Sequence, residues 1–361
     1  KEGRKFKLRE RTIGWGTEGR RFNALNLPKR DKPARERGAW GDFRKKHGRK
    51  FKNDTDEELH ARIFEETEKM VAENNAAYAR GESTFRLAVN EFSDVTEEEF
   101  SQRRMKKIDF AEAMKGVNVI GLNRTDAALA ASRSHAHNHT RPKRDFPDHF
   151  NWKELLEDAG CGSAVRNQGN CASCWAFCTI ATFESSWWSE TGVCRDFSEQ
   201  QLVDCVYGSA GGCNGGWMPT AMEYTKKALG LSLESVYPYK AKSGTCKNLT
   251  KKKAYAADVR HPEGEEEMME ALYSYGTLAV CIDFNYPPFN EYEGGVLVIP
   301  EEWNDCPHAV EINGWGTDDE TGLDYWLIKN SYGDNWGEEG YMRVARGYSV
   351  FETTAYQPVL G

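Results

Sequence analysis

The sequence has no cysteine in its first 160 residues. It also has no apolar run close to the ~18 residues that a membrane helix needs. Leu278–Ile282 and Gly295–Pro300 are among its longest apolar stretches, so no transmembrane segment is expected. The opening at Lys1 has neither Met nor an apolar stretch nearby. The expectation is a secretory leader already removed or never present. Mean hydropathy is low, −0.72, and only 39 % of the 361 residues are hydrophobic. Aromatics are not scarce, at 12 %. That excludes a wholly disordered chain and predicts a compact part joined to a polar, charged part. The length fits one large domain or two to three ordinary ones.

A net charge of −8 conceals a split. Residues 1–144 carry 33 Lys and Arg against 23 Asp and Glu, and residues 145–361 carry 15 against 33. Either the first segment docks on the second or both are independent solvated surfaces. Nine of the ten cysteines fall between Cys161 and Cys281, and the tenth is Cys306. That density predicts an oxidising compartment. Four N-x-S/T sequons, at Asn53, Asn123, Asn138 and Asn248, fit a glycoprotein of the secretory pathway.

Residues 1–52 hold 19 Lys and Arg against 6 Asp and Glu, with no clear apolar period. They read as a basic N-terminal extension, mobile or loosely docked, able to meet polyanions or simply to stay solvated. A helix is expected from Thr55, where Thr55-x-x-Glu58 forms a capping box. Leu59, Ile63, Met70, Val71 and Tyr78 give it an apolar stripe, and Gly81 ends it. Phe85, Leu87 and Val89 alternate like a strand, and Thr96 opens a further helix. Residues 131–144 are polar and basic, an exposed linker suited to cleavage. Its end, Arg141-Pro-Lys-Arg144, resembles a convertase site, and its histidines at 135, 137 and 139 are pH sensors or a solvated triplet. Residues 172–183 are apolar almost all round, which predicts a buried helix. From about 278 the pattern changes to short strands, at 278–284, 294–299, 309–314, 323–329 and 340–344. A helical half followed by a strand half predicts an α+β fold of two lobes with a cleft between them.

The sharpest segment is Gln168-Gly-Asn-Cys171-Ala-Ser-Cys174-Trp-Ala-Phe177. Cys171-x-x-Cys174 has the spacing of a thiol–disulfide redox pair, of half a zinc site, or of a nucleophilic cysteine at a helix start. Zinc needs a second ligand pair, which is not apparent, and no metal is expected. A thioredoxin-like motif needs a βαβ pattern, which is missing. A helix N-terminus favours thiolate and suits the third reading.

These residues resemble the papain-like cysteine proteases, in particular the cathepsin L-like group. The family signature is C-G-[SA]-C-[WY], with His and Asn downstream. Here it reads Cys171-Ala172-Ser173-Cys174-Trp175, with His308 134 residues after Cys174 and Asn330 156 residues after it. Ser198-Glu-Gln-Gln-Leu-Val-Asp-Cys205, Gly212-Cys-Asn-Gly-Gly216 and Tyr237-Pro-Tyr239 fit as well. The resemblance covers about residues 54–361. It implies a papain-like helical lobe at about 145–255 and a β-barrel-like lobe at about 256–361.

The roles it implies are Cys174 as nucleophile, His308 as general base and imidazolium partner, and Asn330 as the group that orients His308. Gln168 and the Cys174 N–H would hold the oxyanion. Substrate contacts would fall to Gly215, Gly216, Trp217, Met218, Cys281, Ala309, Thr353 and Trp336, in a pocket without an acid. That implies an endopeptidase preferring apolar or aromatic residues next to the scissile residue. Tyr332 stands where the family has Trp over the His–Asn bond, and Ala172 replaces Gly. Implied bridges are Cys171–Cys213 and Cys205–Cys246. No cysteine follows Cys306, so the family's third bridge is absent, with Tyr348 near its place. Cys281–Cys306 and Cys161–Cys194 are the expected substitutes, leaving Cys178 free and buried.

Residues 53–130 resemble the inhibitory propeptide of the same group. In its helix motif only Phe64 and Asn75 are identical, and Asp56, His60, Thr67 and Val71 fill the other places. Ala88-x-Asn90-x-Phe92-x-Asp94 resembles the second motif. The family implies that the chain after Asp94 crosses the cleft in reverse and blocks Cys174 until acid weakens the docking. Further implied are protein or peptide substrates, cystatin-type inhibitors, a monomer without cofactor or nucleic acid, and a lysosomal or secreted location.

Overall fold

The computed structural model describes residues 38–106, 109–122, 146–162, 164–206, 211–247 and 254–361. The chain divides into two units, Lys1–Ser101 with Asn285–Gly295, and Gln102–Phe284 with Val296–Gly361. The arm before residue 38, the cleavage linker at 131–144 and the sequons at Asn123, Asn138 and Asn248 lie outside the described residues.

The first unit contains helices α1 (Ala39–Lys46), α2 (Asp54–Ala79) and α3 (Glu97–Ser101) and strand β1 (Phe85–Leu87). Of the expected extension over 1–52, residues 38–52 are described, and these pack on α2 rather than lying free. Trp40 and Phe43 of α1 are buried with Ala61 and Phe64 of α2, and Phe51 and Val89 pack against them. Two aromatics three positions apart put one apolar face on a single short helix, which the surrounding basic residues mask in the sequence. The α2 cap is Asn53, whose side chain accepts from Thr55 N and Asp56 N, rather than Thr55. The capping box sits instead at α3, where Glu99 N donates to Thr96 Oγ1 and Thr96 N to Glu99 Oε2.

The motif residues of this unit make specific contacts. Asn75 exchanges a pair of hydrogen bonds with the Leu87 backbone, 2.8 and 2.9 Å. It thus fastens β1 to α2. Asn90 accepts from Phe92 N and donates to Asn290 O. Asp94 pairs with Arg49 and lies 3.5 Å from His60 Nδ1. β1 runs antiparallel to the start of the strand Tyr292–Leu297, with Phe85 opposite Gly295.

The second unit begins with α4 (Phe110–Ala113), β2 (Val119–Ile120), β3 (Phe150–Asn151), α5 (Trp152–Asp158), α6 (Cys174–Thr191), α7 (Glu199–Cys205) and α8 (Met218–Lys227). It continues with β4 (Ala256–Arg260), α9 (Gly264–Tyr275), β5 (Leu278–Ile282) and β6 (Tyr292–Leu297, of which the last two residues belong here). It ends with β7 (His308–Thr317), β8 (Asp324–Lys329), β9 (Tyr341–Ala345), α10 (Ser349–Thr354) and β10 (Gln357–Leu360). The strand order is β6-β9-β8-β7-β3, with β5 also on β7, and a second sheet runs β10-β4-β2. This is a mixed α+β fold with a helical and a β-rich lobe. α6 is buried along most of its length, as an almost wholly apolar helix requires.

The structure pairs Cys161 with Cys194, Cys171 with Cys213, Cys205 with Cys246 and Cys281 with Cys306. Tyr348 makes a non-covalent tie near the missing bridge, donating to Trp303 O at 2.7 Å and accepting from Asp283 N. Among the described residues no helix is long and apolar enough to cross a membrane.

Candidate active site

Cys174 is the first residue of α6, after the N-cap Ser173. Helices begin with N–H groups that lack intrahelical partners. Here the N–H groups of Cys174 and Trp175, with that of Ala309, favour negative charge on the Cys174 sulfur. Burial opposes them and pushes the thiol up to about 12. His308 starts β7, and its Nε2 lies 2.8 Å from Asn330 Oδ1, just past the end of β8. An amide oxygen can only accept, so Nε2 carries the proton and Nδ1 is left to act as base. Burial pulls His308 down to about 4 against the bond to Asn330. Both groups are fully buried, and burial of each favours a neutral thiol beside a neutral imidazole.

Aromatic rings close over the imidazole. Tyr332 lies against His308 with centroids 5.1 Å apart, and Phe284 meets it edge-on at 5.4 Å. Trp336 packs edge-on against Tyr332 at 5.8 Å. Tyr332 therefore occupies the cover position over the His–Asn bond. Gln168 is held at both ends of its amide: Nε2 donates to Cys171 O at 2.9 Å and Oε1 accepts from Ser331 Oγ at 2.6 Å.

Two pairs of the expected substrate residues are neighbours in the structure, Cys281 with Ala309 and Trp217 with Met218. Cys281 pairs with Ala309 and Ile282 with His308 across β5 and β7. Trp217 precedes Met218 at the start of α8, and its ring meets Tyr356 edge-on at 5.5 Å. Gly216 must be glycine, because a Cβ there would come within 2.3 Å of the Trp175 ring. Thr353 is different. It is exposed on α10 with its hydroxyl turned onto Ser349 O and Val350 O, and Thr354 is the residue bonded to Cys281 N. Tyr356 has no sequence signal that marks it for this wall.

A stretch of the chain itself lies across the site. Met105 N donates to Pro307 O, next to His308, and Lys106 N donates to Asn214 O, both at 3.0 Å. Gly215, with φ +106, leaves no room for a Cβ, which would stand 2.9 Å from Met105 Cα. Further along, Thr220 Oγ1 donates to Ala113 O, the Trp217 indole donates to Met114 Sδ, and Val119–Ile120 add a parallel strand to β4. The main-chain bonds of Met105 and Lys106 are of the kind that hold a bound peptide.

Behind the site, Arg166 pairs with Glu184, Asp196 and Glu199. One cation faces three carboxyls there. Burial pushes Glu199 up to about 8, with Arg166 pulling down and Glu184 adding to the rise. Cys178 has its Sγ 3.4 Å from Trp175 O, and burial pushes its thiol up. The Cys171–Cys213 bridge removes one member of the candidate redox pair. Among the described residues no cluster could hold a metal ion.

Comparison with known proteins agrees with this geometry. Residues 146–359 match the family described as papain family cysteine protease. Residues 40–100 match the cathepsin propeptide inhibitor domain, so that match also includes α1. The chain is 34 % identical to cathepsin L of Sarcophaga peregrina, over 85 % of this chain and 87 % of that one. It is 35 % identical to a cathepsin L-like proteinase of Phaedon cochleariae, over 87 % and 90 %. The solved digestive procathepsin L2 proteinase of Tenebrio molitor larval midgut superposes with a TM-score of 0.75 at 33 % identity, covering 89 % of this chain and 98 % of that one. A buried thiol at a helix start, an imidazole oriented by an amide and a chain segment lying where substrate goes thus have one explanation: the chain belongs to the papain family, as the zymogen of a cathepsin L-like cysteine endopeptidase with its propeptide as intramolecular inhibitor.

Proposed function

We propose that Cys174, His308, Asn330 and Gln168 carry the peptidase reaction. The observation that carries this reading is the 2.8 Å bond from His308 Nε2 to Asn330 Oδ1, which reserves Nδ1 for the thiol proton. The Cys174 sulfur attacks the scissile carbonyl while His308 Nδ1 takes its proton. The oxyanion forms against the Gln168 amide and the Cys174 N–H. Its collapse expels the amine, which takes the proton from His308, and leaves a thioester. Water deprotonated by His308 then attacks the thioester and releases the acid.

Specificity comes from an apolar wall of Trp217, Met218, Cys281 and Ala309, with no acid among them and with Thr353 at the margin. Gly215, Gly216 and Trp336 frame the backbone path. Residues 53–130, with α1 in front of them, act as propeptide, residues 131–144 as the cleavage linker and residues 145–361 as mature peptidase. Acid relieves inhibition by neutralising carboxylates of the acidic peptidase, which carries 33 Asp and Glu against 15 Lys and Arg over residues 145–361. Four disulfides and the sequons support a secretory route, lysosomal or secreted, and the enzyme acts as a monomer open to cystatin-type inhibitors.

Fluorogenic peptides test the specificity. After incubation of the full chain at about pH 4.5, a substrate with Phe or Leu next to the scissile residue is expected to show kcat/KM at least ~10-fold above its Arg counterpart. Equal or higher turnover of the Arg peptide contradicts the apolar pocket.

A further inference from the structure

An oxyanion hole works only if its donors keep a fixed separation, since a misplacement of about 1 Å can cost on the order of a hundredfold in rate. Here the donors come from two different stretches. Gln168 lies in a loop, and the Cys174 N–H begins α6. A serine at an N-cap ordinarily turns its hydroxyl onto the N–H groups of the first turn. Ser173 is the N-cap of α6 and makes no such bond.

Its hydroxyl is drawn to Tyr239 instead, with only a longer approach of 3.4 Å to Cys171 O. Ser173 Oγ lies 2.6 Å from the Tyr239 hydroxyl, and Tyr239 donates to Gln168 O at 2.7 Å. A phenol has one proton, so the direction is fixed: Ser173 O–H to Tyr239 O–H to Gln168 C=O. Each bond in such a chain polarises the next. Tyr239 is itself held twice, by an edge-on contact with Phe177 of α6 at 4.8 Å and by its N–H on Glu234 at 2.7 Å.

We propose that Tyr239 is a positioning residue for the oxyanion hole. Its hydroxyl diverts Ser173 from the end of α6 and locks the Gln168 backbone to the helix that carries Cys174. This rests on the assignment of Gln168 and the Cys174 N–H as the oxyanion donors.

Three reactions of the acid-processed enzyme separate this role from general damage. Peptide hydrolysis needs the oxyanion hole. A peptide aldehyde, which forms a hemithioacetal, needs it too. Alkylation by iodoacetamide needs the thiolate but no oxyanion. For Tyr239→Phe the expected result is a kcat about tenfold lower with KM within twofold, aldehyde binding weakened by a similar factor, and an unchanged alkylation rate and pH profile. Ser173→Ala breaks the same chain and is expected to show the same split to a lesser degree, which serves if Tyr239→Phe does not fold. Hydrolysis within twofold of wild type, or alkylation falling in parallel with hydrolysis, overturns the proposal. Gln168→Ala supplies the reference. If it lowers kcat while the Tyr239 and Ser173 variants do not, the positioning role alone fails. If Gln168→Ala is also silent, the oxyanion assignment fails with it.

Discussion

A single guanidinium sits among three carboxyls behind the catalytic thiol. Arg166 pairs with Glu184, Asp196 and Glu199, and Glu234 and Lys329 also act on the group electrostatically. Burial pushes Glu199 up to about 8, well above the ordinary carboxyl value. The folded state therefore holds a proton that the unfolded chain releases near pH 4.5. Between those limits stability falls as pH rises, because the folded state binds the extra proton. Below about pH 6.5 the depressed His308 opposes this trend, so the melting temperature of the processed enzyme is expected to drop between pH 6.5 and pH 8, and Glu199→Gln is expected to flatten that slope. An unchanged slope in the variant places the proton elsewhere. Residues of this kind were not legible beforehand. Cys174, His308, Asn330 and Gln168 sit in recognisable local words, but Arg166, Glu184 and Asp196 gain meaning only when a loop, a helix and a turn converge. Tyr239 was visible as part of Tyr237-Pro-Tyr239, yet only the fold puts its hydroxyl between Ser173 and Gln168.

Elements were read most reliably where periodicity was long or burial complete. α6 follows from an unbroken apolar stretch, and β5 to β9 follow from short apolar runs between Gly, Asp and Asn. α1 carries little signal in the sequence because eight residues give two turns, and its Arg44, Lys45 and Lys46 look like the flanking basic chain. Its Trp40 and Phe43 nonetheless form the core with Ala61 and Phe64 of α2. Removing a buried aromatic from such a core costs about 3–5 kcal/mol. Trp40→Ala in the full chain is expected to accelerate amide exchange along α2 by roughly a hundredfold or more. Exchange unchanged along α2 means that α1 contributes no core. The caps show a different limit. Thr55 and Thr96 both sit in capping-box sequences, but Asn53, two residues before Thr55, takes the role at α2. A capping-box pattern alone does not show that a side chain two residues earlier takes the cap.

At the scale of the whole molecule, the basic and acidic parts of the chain have different fates. Part of the expected propeptide, residues 102–122, belongs by its contacts to the peptidase unit. There Met105 and Lys106 bond to Pro307 and Asn214, while Cys174 and His308 are out of reach of solvent. Latency is expected to reside in this segment, and activity to require its departure. A thiol-reactive epoxide probe read by intact mass and peptide mapping tests this most directly. The full-length chain is expected to stay unlabelled at neutral pH, and the acid-processed form to carry one adduct, on Cys174. Labelling of the full-length chain at the same rate, an adduct on Cys178, or no adduct after processing would contradict the account.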